Sequence, residues 1–368
     1  MDLMKGSTSY AKLAKKYYGF RAPAVEVTVD GTGLVKQLSC TIDNVEVDLT
    51  NGYEASGASF DIKNQYVQNQ TQFLKKGCYN KVQLGAKVEV KLGHVKTEKV
   101  FSGYITSVEY VFGDEDEKPY MHVECVDVKC LLMKSQRVEI RAEKDVSKLV
   151  TALLGESPVS SYLDGKEIKF RQSQKALRLQ MDMKSDYDYI VELARYMGCE
   201  FFIIGGKAYF REKPTSASTI MTLSPRAGIR SARVSLSGES LVNKVNVVTI
   251  DPATDKLVMG TEALKGSFGK GNGPRKMTGS SERTYIDPLA VSTKEAGDRA
   301  KIIMSNLTAK FGMIYIETVG IPELVPGRDV KVTGLMPDAD KTFYITAVHH
   351  RLDSMGYVTT TEARIDTL

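Results

Sequence analysis

Long apolar runs are missing from this chain of 368 residues. No stretch of roughly 18 apolar residues occurs, and the longest candidates, such as residues 201–205, are far too short to cross a bilayer. Lysines open the N-terminus but no apolar core segment follows them, so neither a secretion signal nor a membrane anchor is expected, and folding in a cytosol is predicted. Cysteine is scarce and odd in number: five, without paired spacing, read as reduced and mostly buried thiols. Cys125 and Cys130, placed in one expected strand, would point to opposite faces, which argues against a shared metal. Only four histidines are available to complete a site. Thirty glycines and eleven prolines are too few for collagen-like or low-complexity architecture. One-sided charge is lacking as well. Fifty basic against 45 acidic residues leave +5, with no block long enough for a nucleic-acid arm.

What is present suits globular packing: 42% of residues are hydrophobic, and the length predicts two or three domains. The first element expected is a short amphipathic helix. Tyr10, Leu13, Ala14 and Tyr17 follow helical spacing with Lys12, Lys15 and Lys16 on the other face, Gly19 stops it, and Pro23 forbids continuation. So small an apolar area binds lipid poorly, and residues 1–20 read as a helical arm that packs on protein. From Val25 the period switches to two. Val25, Val27 and Val29 alternate with polar residues before Asp30-Gly31, as do Val45, Val47 and Leu49 before Asn51-Gly52, and Val88, Val90 and Leu92 before Gly93. Residues 101–112 and 120–128 form a candidate hairpin whose polar tip, 113–119, lacks the ligand spacing of a calcium loop. Short strands with polar turns predict a closed or sandwiched antiparallel sheet over residues 21–135.

Residues 136–220 read as a small α+β module inserted between two β-rich regions. Asp145 caps a helix carrying Val146, Leu149, Val150 and Leu153 that ends at Gly155. Ser185 and Asp188 form a capping signature ahead of the stripe Ile190, Leu193, Ala194 and Met197, which Gly198 ends. Residues 199–204, Gly205-Gly206 and residues 207–210 then read as strand, turn and strand. Residues 221–368 return to strands at 232–236, 242–250, 315–319, 330–332, 343–352 and 357–365. One helix interrupts them: Ser292 with Glu295 is a second capping box, and Ala296, Ala300, Ile303, Leu307 and Phe311 line its apolar face. Aspartate at Ile303 or Leu307 is expected to abolish folding or assembly. Between Gly260 and Ser281 a Gly-, Ser- and Lys-rich stretch without periodicity reads as a mobile loop.

Two segments look alike. Gly85-Ala86-Lys87-Val88-Glu89-Val90 leads after a turn to Tyr104-Ile105-Thr106-Ser107-Val108. Gly327-Arg328-Asp329-Val330-Lys331-Val332 leads likewise to Tyr344-Ile345-Thr346-Ala347-Val348. The shared order of turn and strand, closing on strands that open at Tyr120 or Tyr357, points to an internal duplication.

Catalytic constellations do not survive inspection. Gly269-Lys270-Gly271-Asn272-Gly273 lacks the order of a phosphate-binding loop and does not sit between a strand and a helix. Asp182, Asp186, Asp188 and Glu192 suggest a paired-carboxylate glycosidase site, but Asp188 is better used as a cap, and Asp186 and Glu192 fit a solvated helix face. His349 and His350, adjacent in a strand, point to opposite sides. No G-x-S-x-G, H-E-x-x-H or C-x-x-C motif occurs. No catalytic, cofactor-binding or metal-ligating residue is assigned, and no cofactor is expected.

Three stretches together resemble the phage late control protein D family: Phe101-Ser102-Gly103-Tyr104-Ile105-Thr106-Ser107-Val108; the helix from Ser185 to Gly198 with the aromatic hairpin Phe201-Phe202 to Tyr209-Phe210; and Pro326 to Val332 with His350, Asp353, Gly356, Tyr357 and Thr359. The likeness runs over most of the chain. It implies a mainly β (α+β) protein with two tail-tube-type antiparallel β-barrels, at 21–135 and 221–368, separated by the α+β module and preceded by the arm. It also implies a structural baseplate hub of a contractile phage tail, tailocin or secretion particle, not an enzyme. In such a homotrimer two barrels per subunit make a pseudo-hexameric ring that joins a sixfold tail tube to a threefold central spike. The partners implied are the spike, the tube or tube-initiator protein, the tape-measure protein, baseplate wedge proteins and, in a phage, DNA in the channel. Two alternatives stay open: another β-rich tail-tip or tube protein, and a cell-wall carbohydrate hydrolase using Asp182 or Glu192.

Overall fold

Strand formation follows the period of two: in residues 45–49 the side chains of Val45, Val47 and Leu49 are buried while Glu46 and Asp48 between them face water. The computed structural model describes residues 3–67, 72–73, 75–113, 118–140, 145–170, 180–212, 219–250, 254–265, 273–288, 290, 292–337 and 339–365. The N-terminal region holds α1 (Tyr10–Lys16), β1 (Pro23–Val29), β2 (Thr32–Gly33), α2 (Leu34–Leu38), β3 (Thr41–Thr50), β4 (Gly57–Lys63), β5 (Tyr66–Val67), β6 (Gln72–Phe73), β7 (Lys87–His94), β8 (Lys96–Val111) and β9 (Tyr120–Val126). A central region holds α3 (Lys129–Lys134), β10 (Gln136–Ile140), α4 (Val146–Leu153), α5 (Val159–Tyr162), β11 (Gly165–Lys169), β12 (Gln180–Ser185), α6 (Asp186–Met197), β13 (Cys199–Ile204) and β14 (Lys207–Glu212). The C-terminal region holds β15 (Thr219–Leu223), β16 (Ile229–Leu236), β17 (Lys244–Ile250), β18 (Leu257–Ala263), α7 (Gly273–Thr278), β19 (Glu282–Ile286), α8 (Thr293–Thr308), β20 (Gly312–Val319), β21 (Asp329–Val332), β22 (Thr342–Asp353) and β23 (Gly356–Ile365).

The architecture is mainly antiparallel β. One strand set runs β1-β7-β8-β9-β4-β3 and a second runs β15-β21-β22-β23-β20-β16. They are joined edge to edge where residues 347–352 of β22 pair antiparallel with residues 45–50 of β3, so one 13-stranded sheet links both. Both sets, the N-terminal arm and one face of the β13–β14 hairpin (Phe202, Ile204, Tyr209) share one hydrophobic core, while the rest of the central α+β unit builds a second around Leu149, Leu153, Ile190 and Phe210. Among the described residues no helix is long and apolar enough to cross a membrane.

Several expectations need correction. Cys130 does not share a strand with Cys125: it lies in α3, while Cys125 lies in β9. The stretch from Gly260 to Ser281 is not one loop. Its start completes β18, which pairs with β17, and Gly273–Thr278 is helical. In α8 the fully buried positions are Ala296, Ala300 and Met304; Ile303 and Leu307 are only partly covered, so aspartate at either is expected to do less harm than at Met304. The helix packs mainly on the separate sheet β18-β17-β19. Gly260 sets the closeness of that contact, since a Cβ there would lie 2.0 Å from the backbone nitrogen of Gly297. Backbone cannot swing aside as a side chain can. Gly260→Ala is therefore expected to cost about 1–3 kcal/mol, the range of overpacking, read as a lower urea midpoint.

Candidate functional site

The groups that could carry chemistry are scattered and already engaged. Asp188 is a capping residue: its backbone N–H donates to Ser185 Oγ at 3.0 Å, and that hydroxyl donates to Asp188 Oδ2 at 2.6 Å. Asp186 does not sit on a solvated face. It is 3% exposed and accepts from Ser135 Oγ at 3.0 Å, because the chain leaving α3 crosses the start of α6. Glu192 is exposed and paired with Lys184 at 2.5 Å. The side chain of Asp182 and residues 269–272 of the glycine run lie outside the described residues. A hollow of about 190 Å³ beside α2 has one carboxylate, Glu26, held by Lys36. Among the described residues no three His, Cys, Asp or Glu side chains gather as a metal-holding group. His349 and His350 do diverge: His349 meets Asp48 at 2.8 Å, and His350 is fully buried.

What the fold does assemble is the same corner twice. Gly85 (φ +82) donates its N–H to Ile105 O at 2.8 Å, and Ile105 N–H donates to Ala86 O at 3.0 Å. Gly327 (φ +83) donates to Ile345 O at 3.0 Å, and Ile345 donates to Arg328 O at 2.8 Å. Both glycines occupy the left-handed region that a side chain resists. The next residue bulges in each case: Thr106 interrupts the β8–β9 register and Thr346 the β22–β23 register. Each threonine hydroxyl donates to a glutamate carbonyl, Glu124 or Glu362, at 3.2 Å. The repeat read in the sequence is thus a repeat of hydrogen bonds. One difference is that β1 runs antiparallel to β7, while β15 runs parallel to β21.

Other elements bind these corners together. Tyr162 of the α+β unit donates its hydroxyl to Gly85 O at 2.6 Å and lays its ring 5.1 Å from that of Tyr104. From the same unit Arg211 donates to Gly327 O, its guanidinium 5.1 Å from the Phe202 ring. The arm bridges the two sets elsewhere. Lys16 lies 2.7 Å from Glu98 of β8 and 2.7 Å from Glu323, which precedes β21, and Tyr17 donates to Glu323 at 2.7 Å. Burial opposes the charge on Lys16, but the two carboxylates raise its pKa on balance. Lys16 is therefore not on the solvated face that the helical pattern suggested. Arg328 anchors the chain before α1 through Leu3 O at 2.8 Å and Gly6 O.

A duplicated antiparallel set with an inserted α+β unit and a packed N-terminal arm is a fold of phage tail proteins. The 43 kDa tail protein of prophage MuSo2 from Shewanella oneidensis is similar at a TM-score of 0.69 and 12% identity, over 93% of this chain and 98% of that one. A tail protein from Neisseria meningitidis MC58 gives 0.69 and 14%, over 94% and 97%. E. coli c3393, described as a component of the type VI secretion system, gives 0.55 and 14%, over 92% and 76%. These are the phage-tail and secretion proteins to which the sequence resemblance pointed. A search of curated proteins returned no match. The family model described as the Alg8 N-terminal domain matches residues 25–354, and the chain belongs to that family.

Proposed function

We propose that the chain is the baseplate hub of a contractile phage tail or related injection particle, a homotrimer whose six strand sets form a ring between a sixfold tube and a threefold spike. The observation that carries this reading is the repeated corner at Gly85–Thr106 and Gly327–Thr346, down to the same hydroxyl–carbonyl bond. A subunit that must meet both symmetries needs two near-equivalent modules. The units proposed are the arm at 1–20, a barrel at 21–135, the α+β module at 136–220 and a second barrel at 221–368. The partners proposed are spike, tube or tube initiator, tape-measure and wedge proteins, with DNA passing in a phage. The role is structural. The carboxylates Asp186, Asp188 and Glu192 are respectively buried, capping and ion-paired, which favours this reading over a hydrolase.

Light scattering on the purified chain, alone and mixed with its spike, tests the proposal. The expected mass is three times 40.6 kDa, and electron micrographs should show six lobes around a channel. Peptidoglycan turnover that vanished in Glu192→Gln, from a chain that never forms a ring, would overturn it.

A further inference from the structure

Sequence spacing pairs none of the five cysteines, but the fold brings two of them together. Cys40 lies between the cap that ends α2 and the start of β3, and Cys78 lies in the turn Lys75–Tyr79. That turn packs against α2. Both residues belong to the larger hydrophobic core, Cys40 being 4% exposed and Cys78 fully buried. The Cys78 thiol donates a hydrogen bond to the Cys40 sulfur, and the Cys40 thiol donates to Leu38 O at 3.9 Å.

Both backbones are tied down around these sulfurs. Asn64 clasps the chain on either side of Cys40, accepting from Thr41 N–H at 2.8 Å and donating to Ser39 O at 3.0 Å. Cys40 N–H donates to Leu34 O at 3.0 Å. Cys78 O accepts from Lys81 N–H at 2.9 Å and from Val82 N–H at 2.8 Å. Two thiols in contact on fixed backbones meet the first demand of a disulfide, which tolerates little displacement. The two are unequal. Accepting the hydrogen bond lowers the Cys40 pKa against the opposing effect of burial, whereas donating it, together with burial, raises that of Cys78. Thiolate is the nucleophile, so Cys40 is the one that attacks. It also stands closer to water, since Ser39 beside it is exposed and holds the left-handed backbone (φ +53) that closes α2.

We infer that Cys40 and Cys78 form a redox site that closes to a disulfide when the folded chain meets a small disulfide such as oxidised glutathione. The Cys40 thiolate attacks one sulfur of the reagent, whose S–S bond breaks, and one reagent thiolate leaves. Cys78 then loses its proton and attacks the Cys40 sulfur of the mixed disulfide, expelling the second thiolate. The two protein thiols give up two electrons and two protons, and the reagent takes both as two thiols. The new bond closes a loop over residues 40–78 that holds β3, β4, β5 and β6. Since residues 45–50 of β3 join the two strand sets, the bond ties the junction strand to the turn ahead of β7. Closing that loop restricts the unfolded chain and favours the folded one. The site goes beyond the assembly role proposed above and does not depend on it.

The test holds the reduced full-length chain in oxidised glutathione without denaturant, quenches in acid, and counts thiols after unfolding. Two of the five should be lost, with a Cys40–Cys78 peptide found by mass spectrometry and no glutathione attached. Cys78→Ser should stop at one glutathione on Cys40. Cys40→Ser should react at least about tenfold more slowly at Cys78, which is buried and protonated. The oxidised chain should show a higher urea midpoint than the reduced one, and dithiothreitol should reverse the shift. Retention of all five thiols by the folded chain would overturn the proposal, as would a bond mapped to Cys125, Cys130 or Cys199. A midpoint lowered by oxidation would overturn it too, because the bond would then strain the fold. The thiol count, the peptide map and the midpoint all come from the wild-type chain, so a variant that fails to fold leaves them decisive.

Discussion

Replacing Lys129 with methionine is expected to cost about 3–5 kcal/mol, because it leaves a buried carboxylate without its cation. Lys129 opens α3 and is fully buried. Its ammonium lies 3.8 Å from Asp127 and reaches the carbonyls of Thr50 at 3.5 Å, Gly52 at 3.4 Å and Glu54. Burial dominates both partners, pushing the Lys129 amine below its usual range and the Asp127 carboxyl above it. The pair fastens the loop after β3. That loop also receives the α+β unit, through Tyr187 donating to Tyr53 O and through Arg195, 3.9 Å above the Tyr53 ring. Asp127 retains two backbone donors, Ser56 N–H at 3.0 Å and Lys129 N–H at 2.9 Å, so the variant should still fold. An acid with a raised native pKa binds its proton more readily folded than unfolded, so the deficit should shrink as the medium is acidified into the carboxylate range. Adding Asp127→Asn removes the second charge and should recover part of the loss in urea titrations, the amide keeping only one of the two backbone N–H bonds that the carboxylate accepts. A K129M midpoint shift worth less than about 1 kcal/mol at pH 7 would show that the loop does not depend on the pair.

Acid should loosen the second strand set through His350. Burial, aided by the neighbouring His349, drops its pKa from 6.5 to about 3. Its Nδ1 sits 3.0 Å from Thr359 Oγ1 and 3.0 Å from the Tyr357 hydroxyl. Above pH 6.5 the residue is neutral in both states and contributes no slope. Below that the unfolded chain takes up the proton first, and stability falls until the folded form also titrates near 3. Linkage then gives a loss of about 3 kcal/mol between pH 7 and pH 4 from this residue. Buried His94, also lowered chiefly by desolvation, adds in the same direction. His349, raised by Asp48, works oppositely, but that pair is exposed and worth little. Urea titrations of wild type and His350→Gln at pH 7 and pH 4 measure the difference directly. Equal pH dependence in the two proteins would refute this account.

Local periodicity made much of this fold legible. Ser185 and Ser292 cap their helices as read, because a cap is decided within four residues. Gly205 and Gly206 turn a hairpin with both φ positive, which only the two glycines allow at no cost. The repeat was visible because its glycines and threonines answer local backbone demands. What stayed hidden depends on distant partners. β18 carries Gly260 against α8 and leaves most of its other side chains exposed, so no apolar alternation marks it. Asp186 looked solvated because Ser135 is 51 positions away. Lys16 reads as a surface lysine until Glu98 and Glu323 meet over it.

The grip of the α+β unit on two glycine carbonyls has a mechanical meaning. Tyr162 and Arg211 both belong to the α+β unit, and each clasps a different half of the β structure. Swinging one half about β22 would tear at least one of those clasps. The bend between the two halves is therefore fixed within the single chain, like the angle of a voussoir cut before any arch is raised.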